Sequence, residues 1–212
     1  MYYHAENTTT STTASVSSVS EEYPATRTAV AILVSTALFI LAQLYASIPL
    51  LAPVSSTFRT DATFALSLCF SLAYAVGFLI WGPVSDRYGR KRVIVISLSV
   101  LTLTTFGCAF APTLGVLAIL RTCQGMTAAG FAPVALAYLT ESVLSAGRAR
   151  AIGAMSTAFL AAGIFGQVLA SIIALSLGWR WFFGLCGLIF IGTVSLVLCT
   201  MLERPRTGQT TS

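Results

Sequence analysis

The chain has 212 residues, of which 56% are apolar and only 9% are charged, with a formal net charge of +5 and a mean hydropathy of +0.85. Soluble domains carry about 25% charged residues, so this composition excludes an ordinary soluble protein and indicates a polytopic membrane protein. The basic residues lie at the ends of apolar runs rather than along one polar face, which argues against a nucleic-acid-binding surface.

The first 28 residues are polar and rich in serine and threonine. Such a segment has almost nothing to bury, so we predict a disordered tail over residues 1–28. It lacks the basic start and adjoining apolar core of a signal peptide, and the apolar run that follows is too long for such a core. We therefore expect the first span to remain in the mature protein.

Six apolar runs follow the tail, each long enough to cross a bilayer. They are rich in leucine and alanine and do not alternate polar with apolar residues, which favours helices over barrel strands. The predicted fold is all-α, with six transmembrane helices over residues 29–202 and a cytoplasmic tail over residues 203–212. The approximate spans are Ala29–Val54, Ala62–Val84, Val93–Ala111, Leu114–Leu139, Ala151–Leu177 and Phe182–Leu202.

The basic residues also predict the orientation of the spans. Of the 12 Lys and Arg residues, nine lie on the side that both termini share, two lie on the other side, and Arg121 lies within the fourth span. Because positive residues concentrate in cytoplasmic loops, both termini are predicted to be cytoplasmic, in a plasma or inner cell membrane.

Few residues suited to catalysis or metal binding are present. The five cysteines lie inside predicted spans without a CxxC pair, and the single histidine, His4, lies in the tail. Neither a metal site nor a disulfide framework is indicated, and we predict no cofactor. We do not expect the chain to be an enzyme.

The most specific motif is the loop between the second and third spans, which reads GPVSDRYGRKR from Gly82 to Arg92. Gly89 permits a backbone reversal, and the basic cluster favours the anionic cytoplasmic face of a membrane. Asp86, among cations, is expected to be ionised and paired. A loop that only sets topology would explain the bases, but not the acid and the two glycines at this spacing.

This loop resembles the signature loop of the major facilitator superfamily. The resemblance implies a cytoplasmic gating loop that steadies the outward-facing state of a transporter, partly against a helix of a second half. The matching residues are Gly82, Asp86, Arg87, Gly89, Arg90 and Lys91.

The fourth span contains a second motif, around Arg121, that resembles the fourth-helix motif of the same superfamily. A base at mid-helix costs ~2.5 to 3.5 kcal/mol on insertion scales, so Arg121 is expected to face a polar cavity or a partner unless it snorkels outward. Gln124 lies three residues on and shares its face. In proton-coupled relatives this arginine is associated with proton transfer. The other candidates for a substrate or proton cavity are Gln43, Tyr45 and Gln167.

A second cytoplasmic turn follows the fourth span, where Glu141 precedes Arg148 and Arg150. The resemblance places an acid here in a charge network with the Asp86 loop. An exposed, unpaired Glu141 fits the sequence nearly as well, since surface ion pairs contribute little.

The fifth span repeats small residues every fourth position, which predicts a smooth ridge for close helix packing. The residues at this spacing are Ala154, Ala158, Ala162, Gly166, Ala170 and Ala174, and Gly163 widens the ridge. Drug/proton antiporters of the superfamily have a Gly-rich, Pro-containing motif in this helix, and the segment from Gly163 to Gln167 resembles it only in part, because it has no proline.

The resemblance extends from about Val30 to Arg204, the N-terminal six-helix half of a transporter built from two halves. It implies an efflux-type, proton-coupled secondary transporter half for a small organic solute, such as a drug or sugar. The expected partners are the lipid bilayer, the solute, protons and a second six-helix half, supplied by a missing C-terminal half, a second copy or a separate chain. The alternative is a non-transporting truncated remnant or a membrane interaction protein.

Overall fold

The structure, a computed structural model, describes residues 23–143 and 145–202. These residues form helices and turns and contain no strand. Six helical stretches are long and apolar enough to cross a membrane, which confirms the predicted all-α fold. They are Arg27–Tyr45, Phe64–Tyr88, Arg92–Ala109, Leu114–Thr140, Gly147–Ser176 and Trp179–Cys199.

Within the described residues, the spans are built from eight α-helices and one short π-helical turn, Phe64–Leu68, which runs directly into the helix that begins at Cys69. Helix α1 begins at Tyr23, so residues 23–28 are helical where we predicted disorder. Residues 1–22 and 203–212 of the predicted tails lie outside the described residues. The helices are α1 (Tyr23–Tyr45), α2 (Ser47–Phe58), α3 (Cys69–Tyr88), α4 (Arg90–Ala109), α5 (Leu114–Ala128), α6 (Ala132–Ser142), α7 (Ser145–Ser176) and α8 (Trp179–Leu202).

Two of the predicted spans are interrupted, and a proline follows each interruption. The first span breaks at Ala46 between α1 and α2, where Pro49 has no N–H to donate to the carbonyl of Tyr45. The fourth span breaks at residues 129–131 between α5 and α6, where Pro133 removes the corresponding bond to Ala129. Each break lies within a few residues of the polar cluster described below.

Glycines allow two pairs of helices to pack backbone against backbone. A Cβ added at Gly125 of α5 would lie 2.3 Å from the carbonyl oxygen of Phe70 in α3. One added at Gly166 of α7 would lie 2.5 Å from the carbonyl oxygen of Ala42 in α1. Small residues permit this close approach, which brings the polar groups of neighbouring spans within bonding distance.

At the membrane face opposite Asp86, side chains of α8 fasten the ends of other helices. Arg180 donates hydrogen bonds of 3.0 Å to the carbonyl oxygens of both Ala109 and Ala111, at the end of α4. The indole N–H of Trp179 donates to Thr57 Oγ1 at 3.0 Å, at the end of α2. We call these contacts the Arg180 clamp. The two bonds from Arg180 satisfy carbonyl groups that a helix terminus leaves without an intrahelical partner.

Candidate functional site

The candidate site is a buried polar cluster around Arg121, whose side chain is only 1% exposed. Its Nε and Nη2 atoms donate to the carbonyl oxygen of Leu66 at 3.0 and 2.8 Å. Nη2 also donates to Ser47 Oγ at 2.8 Å and to the carbonyl oxygen of Gln43 at 3.3 Å. The guanidinium therefore joins spans one, two and four.

Gln124 extends the cluster to the third span. Its Oε1 atom accepts from Arg121 Nη1 at 2.8 Å and from the thiol of Cys108 at 3.8 Å. Its Nε2 atom donates to Gln43 Oε1 and, at 2.9 Å, to Thr105 Oγ1. Both amide groups and the Thr105 hydroxyl are fully buried, and no buried side-chain polar atom in the described residues lacks a hydrogen-bond partner.

The positive charge of Arg121 is stabilised by dipoles and aromatic faces. Its guanidinium carbon lies 4.2 Å from the ring centre of Phe70 and 5.7 Å from that of Phe183. In the described part of the chain no carboxylate lies within ion-pair distance of it. A fixed cation at membrane depth disfavours a second cation beside it and favours an anionic group or the deprotonated form of an acid. This is the chemistry that a proton- or solute-binding centre uses.

The Gly125 contact explains how this geometry arises. Gly125 lies one turn after Arg121, and Phe70 lies one turn after Leu66. Because α5 and α3 touch at Gly125 and Phe70, the carbonyl of Leu66 is brought to the guanidinium one turn away. Span two is π-helical at this point, and π-helical turns are frequent at functional sites.

Two of the predicted cavity residues lie apart from the cluster. The side chain of Gln167 donates to the carbonyl oxygen of Gly163 in its own helix, at 3.0 Å. The ring of Tyr45 lies against Gly163, 3.9 Å from where a Cβ would be. Tyr45 thus belongs to the contact between α1 and α7, Gln167 bonds within α7, and only Gln43 of the additional candidates joins Arg121 and Gln124.

The predicted gating loop forms a tight turn between α3 and α4. Gly89 has a φ of +90°, a conformation that other residues rarely adopt, and its N–H bonds to the Ser85 carbonyl at 3.0 Å. Asp86 pairs with Arg90 at 3.5 Å, but its side chain is 70% exposed, so this pair contributes little stability. The side chain of Lys91 lies outside the described residues.

The remaining loop residues are more open. No atom lies within 4 Å of a Cβ added at Gly82, and Arg87 lies over the neighbouring ring of Tyr88 at 5.8 Å. Arg148 and Arg150 are exposed at the start of α7 and do not pair with Asp86. The side chain of Glu141 lies outside the described residues, so the proposed charge network stays a prediction.

The ridge of small residues on α7 faces the interior of the bundle. Ala158, Ala162, Gly166 and Ala170 are buried, and Gly163 is partly buried. Gly166 makes the close contact with α1 described above. This ridge lets α7 lie against the helix that contributes Gln43.

Sequence reasoning missed Ser47, Thr105, Cys108 and the carbonyl of Leu66. Ser47 lies four residues after Gln43, so a shared helical face could have pointed to it. Thr105 and Cys108 are ordinary residues of apolar spans, and nothing in their spacing distinguishes them. A backbone carbonyl has no sequence signal, since its position depends on how two spans cross.

Comparison with known proteins assigns the chain to a family. The sequence profile of the Major Facilitator Superfamily matches residues 32–212. An uncharacterized MFS-type transporter of Bacillus subtilis, YybF, is 30% identical over 151 residues, which cover 70% of this chain and 37% of that protein. The transporter Rv1250 of Mycobacterium tuberculosis, also uncharacterized, is 32% identical over 133 residues, covering 63% of this chain and 23% of that protein.

Two further similarities concern a named function and a solved structure. The multi-drug resistance efflux pump PmrA of Streptococcus pneumoniae is 33% identical over 124 residues, which cover 58% of this chain and 31% of the pump. The crystal structure of a bacterial homologue of the human lysosomal transporter Spinster, inward-facing and unoccupied, superposes with a TM-score of 0.75 at 21% identity. That superposition covers 89% of this chain and 46% of the Spinster homologue.

The chain thus spans 23% to 37% of the length of these curated relatives. The profile match covers most of the chain, and the six spans and their superposition on a solved transporter agree with it. The chain belongs to the Major Facilitator Superfamily of membrane transporters.

Proposed function

We propose that the chain is the N-terminal six-helix half of a proton-coupled, efflux-type secondary transporter for a small organic solute. Export is supported by the similarity to a multi-drug resistance efflux pump. The second six-helix half comes from further residues of the same polypeptide, a second copy or a separate chain, because a midplane site in this fold lies between two halves.

The observation that supports transport best is the buried Arg121 cluster. Burying a cation at membrane depth is costly, and such residues commonly mark solute or proton pathways. Here the cation donates to the side chains of Gln124 and Ser47 and to the backbone carbonyls of Gln43 and Leu66. Gln124 extends the cluster to the hydroxyl of Thr105, so four spans contribute to it. A bundle that served only as a membrane anchor would need none of these groups, since apolar side chains would fill the same space.

The proposed orientation places the turn at Gly89 and both termini in the cytoplasm of a cell membrane. The basic residues of the turn support this orientation, as positive residues concentrate on that side. Within the turn we propose that Asp86 and Arg90 form part of the cytoplasmic gate. Glu141, Arg148 and Arg150 complete the charge network, and Tyr45 and Gln167 line the solute path where α1 meets α7.

The experiment is an efflux assay in bacteria that lack their own drug pumps. The chain is expressed together with the coding sequence that follows it, and ethidium loss from energised cells is measured with and without a protonophore. We expect efflux that the protonophore stops and that Arg121→Leu abolishes. Thr122→Val is the matched control, because Thr122 is exposed on the same helix and bonds only within it.

Two outcomes would count against the proposal. Efflux that Arg121→Leu leaves unchanged would mean that the buried cation has no part in transport. Absence of six further spans in the adjoining sequence, together with no efflux from the chain or from a linked pair of copies, would favour the non-transporting alternative.

A further inference from the structure

The second span contains a local departure from α-helical geometry at Phe64–Leu68. The N–H of Cys69 bonds to the carbonyl oxygen of Phe64, five residues back, whereas the N–H of Leu66 still bonds to Ala62, four residues back. A π-helical turn holds one residue more than an α-helical turn and is rare. It needs a stabilising contact, because without one the chain would adopt the ordinary α-helical turn, which holds one residue fewer.

That contact lies on the carbonyl oxygen of Leu66, in the middle of the π-helical turn. It accepts two hydrogen bonds from Arg121, at 3.0 and 2.8 Å, and a third from the hydroxyl of Ser47 at 3.2 Å. The two guanidinium bonds are charge-assisted and lie in a buried site, where such bonds are strongest. Three spans thus meet at one backbone oxygen.

The charge of Arg121 has few other acceptors nearby. Its remaining bonds go to Ser47, Gln124 and the carbonyl of Gln43, and no carboxylate of the described residues lies within ion-pair distance. Two of the five hydrogen bonds that Arg121 donates therefore go to the Leu66 carbonyl. We infer that the π-helical turn Phe64–Leu68 is a positioning element for Arg121, and that the guanidinium in turn keeps this turn from closing into an α-helix.

The coupling gives the site a way to move span two, a consequence that rests on the proposed function. When Arg121 leaves Leu66 for another acceptor, such as a solute or a deprotonated acid, the turn loses its stabilising bonds. Closing into α geometry shifts the chain before Leu66 by one residue, a rotation of roughly 100° and a rise of about 1.5 Å. Ser47 loses its partner in the same step, so the outer part of span one is released as well.

The test deletes Leu68, an exposed residue of the π-helical turn, from the full 212-residue chain purified in detergent. Because a π-helical turn holds one residue more than an α-helical turn, the shortened segment can continue as an α-helix. In the native sequence we expect it to lower the thermal unfolding midpoint by roughly 5 °C or more, because Arg121 loses its main acceptor. In the Arg121→Leu background the same deletion is expected to be neutral or to raise the midpoint, since no guanidinium then bonds to the π-helical turn.

Two controls separate this coupling from a general effect of shortening the helix. Leu68→Ala keeps the chain length and should change the midpoint alike in both backgrounds. Arg180→Leu removes a guanidinium that also donates to two carbonyl oxygens, but at the Arg180 clamp. In that background the deletion should cost as much as in the native sequence. An equal loss in all three backgrounds, or no loss in the native one, would overturn the inference.

A second measurement preserves the chain length and applies even where the deletion prevents folding. Arg121→Lys keeps the charge but cannot donate two bonds in one plane. We expect amide hydrogen exchange over residues 64–70 to become about tenfold faster in this variant, and Arg180→Lys to leave it unchanged. Unaltered exchange over these residues in Arg121→Lys would overturn the inference, whatever the outcome of the efflux assay.

Discussion

The guanidinium of Arg121 makes every hydrogen bond to neutral partners in the described structure. This arrangement depends on geometry more than an ion pair would, because a carbonyl or amide oxygen must lie in the right place to accept. A single misplaced acceptor leaves part of a buried cation unsatisfied, at a cost of about 1 to 3 kcal/mol or more. The residues that set the helix spacing are therefore as important for the site as those that bond in it.

Gly125 provides a direct test of that dependence. A Cβ at this position would lie 2.3 Å from the carbonyl oxygen of Phe70, so Gly125→Ala must push α3 and α5 apart. We expect it to lower the free energy of unfolding by about 1 to 3 kcal/mol and to reduce efflux, because Leu66 moves away from Arg121. Unfolding in detergent measures the first effect.

Gly115 supplies the matched control on the same helix. No atom lies within 4 Å of a Cβ added there. Gly115→Ala is expected to be neutral or slightly stabilising, since alanine favours a helix by up to about 1 kcal/mol over glycine. Equal effects of the two substitutions would contradict the idea that the close approach at Gly125 builds the site.

Asp61 allows a prediction of pH dependence outside the membrane spans. Hydrogen bonds from the hydroxyl and the N–H of Thr63, at 2.6 and 2.9 Å, hold the pKa of Asp61 below its usual value. A lowered folded-state pKa stabilises the fold above the unfolded-state pKa, and this contribution disappears as the pH falls through the folded value. The start of span two should therefore loosen in acid.

The measurement compares the unfolding midpoint between neutral pH and about pH 2, which lies below most pKa values of aspartates in folded proteins. Asp61→Asn should show a smaller fall over this range than the native chain, because its amide does not titrate. Asp86→Asn serves as the comparison at the other membrane face. An identical fall in the native chain and in Asp61→Asn would refute the role given to Asp61.

At the scale of single residues, the sequence predicted the pair at Arg121 and Gln124 from helical spacing alone. It could not place Gln43 beside them or separate it from Tyr45 and Gln167, since all three are polar residues of apolar spans. What decides between them is how α1 rotates against α5 and α7. That rotation follows from contacts such as Gly166 on Ala42, which one chain's spacing does not reveal.

Among the helices, the loop between α3 and α4 invites the clearest functional test. Asp86 is largely exposed and pairs with Arg90 within one turn, so Asp86→Asn should change stability by less than about 1 kcal/mol. If the loop gates transport, the same substitution should remove most of the efflux. Arg92→Gln, in the same basic cluster, is expected to retain efflux and insertion. Undiminished efflux from Asp86→Asn would exclude a gating role for the carboxylate.

We did not predict the breaks in the first and fourth spans, although each is followed by a proline. Pro49 and Pro133 lie within the first and fourth predicted spans, and a proline inside a helix removes the bond to the residue four positions earlier. Both breaks could have been predicted as candidates, although the rule points equally to Pro53 and Pro83, which lie inside α2 and α3 without a break. The π-helical turn could not, because no residue of Phe64–Leu68 breaks a helix and the turn depends on a distant arginine.

For the whole molecule, six spans could be predicted because lipid leaves a chain so few choices. Backbone groups in hydrocarbon must bond within the segment, so a long apolar run is helical almost regardless of its detailed sequence. The relative placement of the six helices is a different matter, because lipid-facing and buried surfaces are both apolar. Leucines occur on both surfaces: Leu79 and Leu160 are exposed, whereas Leu98 and Leu117 are buried.

Orientation is a prediction for the whole molecule that labelling can check. Single cysteines are introduced at Arg87 and at Arg59, on opposite faces, in a chain whose native cysteines are replaced by serine or alanine. A membrane-impermeant maleimide added to intact cells should label position 59 but not position 87, and disruption of the cells should expose both. The reverse pattern would place the turn at Gly89 outside and would contradict the proposed cytoplasmic gate.

The Arg180 clamp has a consequence for how the bundle is made. Arg180 and Trp179 open the last of the six spans, yet they fasten the ends of α4 and α2, which are synthesised earlier. Until the ribosome has delivered α8, the carbonyls of Ala109 and Ala111 lack this partner, and the earlier spans are held by their mutual packing alone. Chains halted before Trp179 should then be cleaved at the exposed α4–α5 connection far more readily than chains that include α8, so membrane proteases could distinguish bundles that lack the clamp.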